Sequence, residues 1–305
     1  MSGIVIQAEG LSKTYGRCVA VDNLNFTVYA GDVYGFLGPN GAGKSTTIRM
    51  LTGLIRPSSG IARIMNLDIK NNRAKAMQGV GALVETPSFY GCLSARENLN
   101  IFAGLSGGCE EGSIDRVLRM TGLAGRADNK VKSYSHGMRQ RLGIAQALLP
   151  KPHIVILDEP TDGLDPQGMR DVRQMILQLK EEGVTVFLSS HLLFEVEQIC
   201  TRVGIIDRGR LVMEGDVKSL LKTESGPVEI RTADRERSLH VLSGVSGVRV
   251  LSCNGESLFI DAVPDAVAEA NRALAQAGIK VYAVIPKNAS LEDLFLQLTE
   301  GSREK

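Results

Sequence analysis

The sequence predicts an α/β fold: a largely parallel sheet with an antiparallel β layer attached, followed by a smaller α+β domain. Three observations predict it. Between about residues 33 and 207, short aliphatic runs alternate with amphipathic stretches of helical period. Ahead of them lie two strand-like runs with little helix between. Beyond residues 223–227, Thr-Glu-Ser-Gly-Pro, the pattern restarts in a different order.

Residues 4–8 (IVIQA) and 24–28 (LNFTV) supply the antiparallel layer. Residues 33–37 (VYGFL) form an apolar strand, and 44–54 a run of helical period. A long helix is expected over 139–149, a buried strand over 153–157 (HIVIL), and another strand over 184–188 (VTVFL). Residues 205–212 read as a hairpin turning at Arg208-Gly209, with a helix over 217–222. The boundaries expected are a first domain over 1–222, a linker over 223–227 and an accessory domain over 228–305.

In the accessory domain, 228–231 is a strand and 235–242 a helix. Residues 248–251 and 258–261 flank Asn254-Gly255, a hairpin signal. Pro264 starts a helix that Gly278 closes, and 279–285 is the last strand. The order β-α-β-β-α-β is that of a ferredoxin-like unit. A final helix over 291–299 carries Leu291, Leu294, Phe295 and Leu298 on one face, with Ser290 and Asp293 as its start signal.

Composition narrows the function. Of 305 residues, 43% are hydrophobic and 23% charged, as in a globular protein. The net charge of +1 gives no field for sequence-independent binding of nucleic acid, so no nucleic-acid partner is expected. No apolar run approaches a membrane span, and the N-terminus lacks the basic start and long apolar stretch of a signal peptide. The five cysteines, Cys18, Cys92, Cys109, Cys200 and Cys253, are scattered without a C-x-x-C pair. That favours a reducing compartment and argues against a disulfide framework or a zinc site.

Gly38-Pro39-Asn40-Gly41-Ala42-Gly43-Lys44-Ser45 matches G-x-x-x-x-G-K-[ST], the P-loop, and makes the parallel-sheet region a P-loop NTPase core. Glycines let backbone N–H groups converge on one point, and the helix starting at Lys44 aims its unpaired N–H groups and positive dipole end there. The cradle suits the polyphosphate of ATP, with Lys44 on the β- and γ-phosphates, Ser45 on Mg²⁺ and Thr46 on the α-phosphate. A charge-assisted bond of this kind is worth about 1.5–3 kcal/mol. A glycine-rich turn beside a solvated lysine is the plainer alternative, but the strand before and the helix after fit the P-loop. The strand over 153–157 ends in Asp158-Glu159. Such a pair is often only a turn or cap; beside a P-loop, Asp158 is placed to hold Mg²⁺ and Glu159 to orient or deprotonate the attacking water.

With these elements placed, residues 1 to about 220 resemble the ATP-binding cassette (ABC) ATPase domain, part by part and in order. That family works as head-to-tail pairs, each ATP lying between the P-loop of one copy and the signature segment of the other. The resemblance implies a helical subdomain carrying the signature, which usually reads L-S-G-G-Q. Here it is Tyr134-Ser135-His136-Gly137-Met138. Ser135 and Gly137 match and imply contacts in trans to the γ-phosphate, whereas His136 and Met138 depart. His191, after a strand and two serines, matches the switch histidine that senses the γ-phosphate. Gly163-Leu164-Asp165-Pro166 resembles the loop crossing the dimer interface, with Asp165 its polar member. Tyr15 in LSKTYG matches the aromatic that stacks on adenine, although a tyrosine before glycine is also a common turn residue. Glu85 stands where the family has a glutamine touching Mg²⁺ and water; it is either an additional metal contact or a different tuning of the site. Residues 86–105 are where the family meets its membrane partner, with Pro87, Phe89 and Tyr90 either contacts to it or ordinary packing residues.

The ETPSFY stretch and the C-terminal extension resemble the bacitracin-resistance and drug-exporter branch. The resemblance implies an ATP-hydrolysing subunit, using ATP and Mg²⁺, that powers export through a separate integral membrane permease. It would work as a homodimer or with a paired ABC subunit, held peripherally at the cytoplasmic face of the membrane. A soluble ABC ATPase acting on the ribosome or DNA is the alternative. Such relatives usually carry two cassettes or a long coiled coil, and this chain has neither. A regulator without turnover is disfavoured by the intact Lys44, Asp158, Glu159 and His191.

Overall fold

A computed structural model of the chain describes residues 3–221, 226–255, 257–286 and 290–300. The contacts separate into two compact units that divide between Val217 and Lys218.

The first unit opens with β1 (Ile4–Tyr15) and β2 (Cys18–Tyr29), paired antiparallel with Ile6 opposite Val28 and Ala8 opposite Phe26. Both strands run well beyond the apolar runs that predict them. Register shifts near Ala8, Leu11 and Lys13 break the period-two alternation, which hides the outer halves of the strands from pattern reading. β3 (Val33–Leu37) is buried along its whole length and leads through a loop into α1 (Lys44–Leu51). The helix stops three residues short of the expected end. The Thr52 hydroxyl donates back to the Ile48 carbonyl at 2.8 Å, and Gly53, with φ of 66°, turns the chain away. β4 (Ser59–Ile64) and β5 (Leu67–Asp68) complete a four-stranded antiparallel sheet of order β2-β1-β4-β5.

α2 (Ile69–Ala76), capped by Asp68, then leads to β6 (Val80–Leu83). A helical region follows: α3 (Ala95–Leu105), started by a Ser94/Glu97 capping box, α4 (Ser113–Met120) and α5 (His136–Leu148). α5 begins three residues earlier than its periodicity suggests because Ser135 caps it, accepting from the Met138 N–H at 3.2 Å. The chain returns through β7 (Ile154–Leu157), α6 (Pro166–Glu181), β8 (Thr185–Ser190), α7 (Leu193–Ile199) and the hairpin of β9 (Arg202–Asp207) and β10 (Arg210–Asp216). The hairpin turns at Arg208 and Gly209, both at positive φ.

These strands form a six-stranded sheet of order β10-β9-β3-β8-β7-β6, parallel except for β10. β3, β7 and β8 are buried on both faces, which is why they read as unbroken aliphatic runs. The core between the two sheets includes Phe26, Tyr34, Phe36 and Phe187, whose ring centroids lie 5.5–5.9 Å apart. α1 adds Ile48, Met50 and Leu51 to it.

α8 (Val217–Leu221) follows β10. Lys222, expected to end it, and residues 223–225 of the expected linker lie outside the described residues, while Gly226 and Pro227 already belong to a strand. In the second unit the order is β11 (Gly226–Thr232), α9 (Arg235–Ser243), β12 (Val248–Asn254), β13 (Ser257–Ala262), α10 (Pro264–Gln276) and β14 (Val281–Pro286). The antiparallel sheet has the order β12-β13-β11-β14. Val228, Ile230, Leu258, Ile260, Ala270 and Leu274 form its core. α11 (Leu291–Glu300) is started by reciprocal bonds between Ser290 and Asp293. The Leu298 side chain lies outside what is described. Among the described residues no helix is long and apolar enough to cross a membrane.

Candidate functional site

Three neighbouring parallel strands, β3, β8 and β7, bring their C-terminal ends to one edge of the sheet. In register, Leu37 pairs with Ser190, and Leu157 with Leu188. The residues that follow each strand therefore converge, as expected where open α/β sheets bind ligands.

The loop after β3 is shaped by contacts that exclude side chains. A Cβ on Gly38 would lie 2.2 Å from the Ile206 carbonyl oxygen, and one on Gly43 would lie 2.6 Å from that of Ala20. Gly43 also takes φ of 108° as it caps α1, a conformation that side-chain-bearing residues rarely adopt. α1 then starts at Lys44 with its free N–H groups facing the cavity mouth.

Lys44 is only 5% exposed. Its Nζ donates to the carbonyls of Gly38 at 2.7 Å and Pro39 at 3.2 Å, and lies 3.1 Å from Glu159 Oε1. Ser45 Oγ donates to Asp158 Oδ1 at 3.2 Å. Ser189, buried in β8, donates to the same oxygen at 2.6 Å and accepts from the Glu159 N–H at 2.9 Å. One hydroxyl thus positions both carboxylate residues. Glu159 itself takes φ of 46°, a left-handed conformation unusual for a residue with a side chain, which turns its carboxylate off the strand line. Its Oε2 faces His191 Nδ1 at 2.9 Å. Gln140 of α5 reaches the Glu159 carbonyl at 3.5 Å.

A cavity of about 310 Å³ opens here, lined by Asn40, Gly41, Gly43, Lys44, Ser45, Thr46, Glu159 and His191. Gly38 and Pro39 hold the Lys44 ammonium through their carbonyls, and Ala42 is buried in the loop, none of the three lining the cavity. The structure adds Ala20 and Asp162 to the wall, which pattern reading missed. Ser189 was missed as well. Its signal, a buried hydroxyl closing an aliphatic strand, is visible only once the strand beside it is known. The hard-oxygen pair of Ser45 and Asp158 has the donor chemistry that Mg²⁺ prefers. Among the described residues no three His, Cys, Asp or Glu side chains cluster as a metal site, so remaining ligands would come from phosphate and water.

Other expected site residues stand elsewhere. Glu85 takes φ of 66° after β6 and pairs with Arg49 of α1; it does not line the cavity. Tyr15 ends β1, is 47% exposed as a residue and lies outside the cavity wall. Ser135 and Gly137 sit at the start of α5, where His136 and Gly137 lie against Gly163 and Leu164 of the same chain. A Cβ on Gly137 would lie 3.1 Å from Leu164 Cδ2, and one on Gly163 would lie 3.1 Å from the His136 ring. Asp165 caps α6, accepting from the Gly168 N–H at 2.9 Å. Pro87 lies against Gly143, Phe89 meets Phe102 edge-on at 5.9 Å, and Tyr90 is exposed.

Comparison with known proteins gives a consistent set. A family model described as ABC transporter matches residues 21–162. A bacitracin transport ATP-binding protein of Bacillus licheniformis is 40% identical over 299 residues, covering 97% of this chain and 98% of the relative. A linearmycin resistance ATP-binding protein of Bacillus subtilis is 35% identical over 305 residues, covering 97% and 98%. Among solved structures, a dimeric ATP-binding cassette in a post-hydrolysis state, bound to ADP and Pi, superposes with a TM-score of 0.63 at 25% identity, covering 70% of this chain and 98% of that one.

Proposed function

The chain belongs to the ABC transporter family of ATP-binding proteins, and from that premise we propose that it is an ATP-hydrolysing subunit that drives export through a separate integral membrane permease. The observation that carries the reading is the Glu159 carboxylate, held between Lys44 and His191 at the mouth of the P-loop cavity.

In this reading the backbone N–H groups over 40–46 and Lys44 bind the triphosphate, Lys44 exchanging its carbonyl partners for phosphate oxygens. Tyr15 stacks on the base. The Ser45 hydroxyl and the Asp158 carboxylate would hold Mg²⁺, which would supply charge neutralisation to the phosphates. Glu159 accepts the proton of the attacking water as the new oxygen–phosphorus bond forms and the bridging bond to ADP breaks, so ADP and phosphate leave. His191 keeps that carboxylate aimed and reads the γ-phosphate.

Ser135 and Gly137 lie outside their own chain's cavity, which supports their acting on the nucleotide of a second copy. ATP then favours the closed pair because it touches both surfaces. The names of the relatives, bacitracin transport and linearmycin resistance, support a drug-like cargo, and the absence of a membrane-crossing helix among the described residues fits a peripheral position on a membrane permease.

The test has two parts. The purified chain should release phosphate from Mg-ATP, and Lys44→Ala should abolish that release. The chain should also co-purify with an integral membrane protein from detergent-solubilised membranes. Recovery with ribosomes instead would overturn the transporter reading.

A further inference from the structure

Lys13 and Tyr15 stand two residues apart at the end of β1. The Lys13 ammonium lies 5.1 Å from the centroid of the Tyr15 ring. It does not hang free, because Nζ donates to the Arg56 carbonyl at 2.7 Å. That carbonyl belongs to the segment between α1 and β4, so the cation is anchored from outside β1. Tyr15 pairs with Cys18 across the tight turn into β2, and β2 carries Ala20 into the cavity wall. One face of the ring is thus taken by a fixed cation, while Tyr15 as a residue remains 47% exposed.

We infer that Lys13 is a positioning residue for the nucleotide base: its anchored ammonium fixes the orientation of the Tyr15 ring and polarises it for stacking. A cation against one face draws π density toward itself and leaves the opposite face electron-poor. An electron-rich purine stacks better on such a face. Fixing the ring beforehand also removes side-chain entropy that an exposed tyrosine would lose on binding. The inference rests on the reading above that Tyr15 meets the base. Because Lys13 acts through the ring and not on the phosphates, its effect must depend on the base being present.

The test compares two competitors for ribose-labelled fluorescent ATP on the full chain: ATP, and inorganic tripolyphosphate, which has no base. Lys13→Met should weaken ATP about two- to fivefold, the range of an exposed cation–π contact, and leave tripolyphosphate unchanged. In steady state KM should rise with kcat retained. Lys13→Arg, which keeps the cation and a donor for the Arg56 carbonyl, should restore the wild-type value. Tyr15→Leu provides the reference and should weaken ATP alone. If Tyr15→Leu weakens ATP but Lys13→Met does not, the role of Lys13 is overturned while stacking stands. Equal weakening of both competitors by Lys13→Met would show a collapsed strand end and overturn it too. If Tyr15→Leu changes neither competitor, the stacking reading fails and this inference falls with it.

Discussion

Glu159 Oε2 lies 2.9 Å from His191 Nδ1, and the other oxygen of the same carboxylate, Oε1, lies 3.1 Å from Lys44 Nζ. The three residues follow β7, β8 and β3, so the carboxylate is held from the ends of three adjacent strands. A group fixed this way is aimed before substrate arrives, which is the condition for efficient proton transfer at a positioned water.

Replacing that carboxylate by its amide keeps the shape and removes the base. Glu159→Gln should bind ATP with affinity close to wild type, lose about 10²–10⁴-fold in hydrolysis, and accumulate as a dimer with ATP. Size-exclusion chromatography with and without Mg-ATP checks this. A variant that elutes only as monomer with ATP would count against the paired-copy mechanism.

The loop glycines give a steric prediction. Gly38→Ala places a Cβ 2.2 Å from the Ile206 backbone oxygen, which cannot yield as a flexible side-chain tip can. The variant should lose about 1–3 kcal/mol of stability by overpacking. It should also lose the rise in melting temperature that saturating ATP gives wild type. Gly41→Ala meets nothing within 4 Å, but Gly41 sits at φ of 82°. Its expected cost is smaller, about 1 kcal/mol of backbone strain. Thermal melts with and without ATP separate the two variants.

Glu85 and Asp158 should behave differently toward metal. Asp158 is bonded to Ser45 and Ser189, whereas the exposed Glu85 is paired with Arg49 of α1. Asp158→Asn should raise the Mg²⁺ concentration for half-maximal ATPase by about tenfold or more, the loss of roughly one charge-assisted contact. Glu85→Gln should leave it within about twofold, because an exposed ion pair contributes little. A large shift from Glu85→Gln would restore its place as a metal ligand.

Much of the site was legible in the sequence because each chemical residue directly follows an apolar run. Leu37, Leu157 and Ser190 end buried parallel strands, and those strands carry Gly38, Asp158 and His191 to one edge. What escaped depends on backbone dihedrals or on partners distant in the chain. The direction of Glu85 is set by a left-handed backbone and by Arg49 on another element. Ser189 acquires its double role only because β8 lies beside β7. The full length of β1 was hidden by bulges, and the end of α1 by a threonine hydroxyl and a glycine just past it. The second unit was legible for a simpler reason: Asn254-Gly255, Pro264 and Gly278 punctuate it locally.

That second unit encloses its own core, with Val228, Ile230, Leu258, Ile260 and Leu274 buried among one another. The nucleotide cavity, by contrast, is lined by residues 20–191 alone. Neither set of contacts needs the other to close, so truncation after Leu221 should leave ATP binding unchanged within about twofold and cost little cooperativity of unfolding. Fluorescent-nucleotide titration and a thermal melt of the truncated chain measure both quantities. Loss of binding together with a broad, low melt would mean that the first unit draws its stability from residues beyond Leu221.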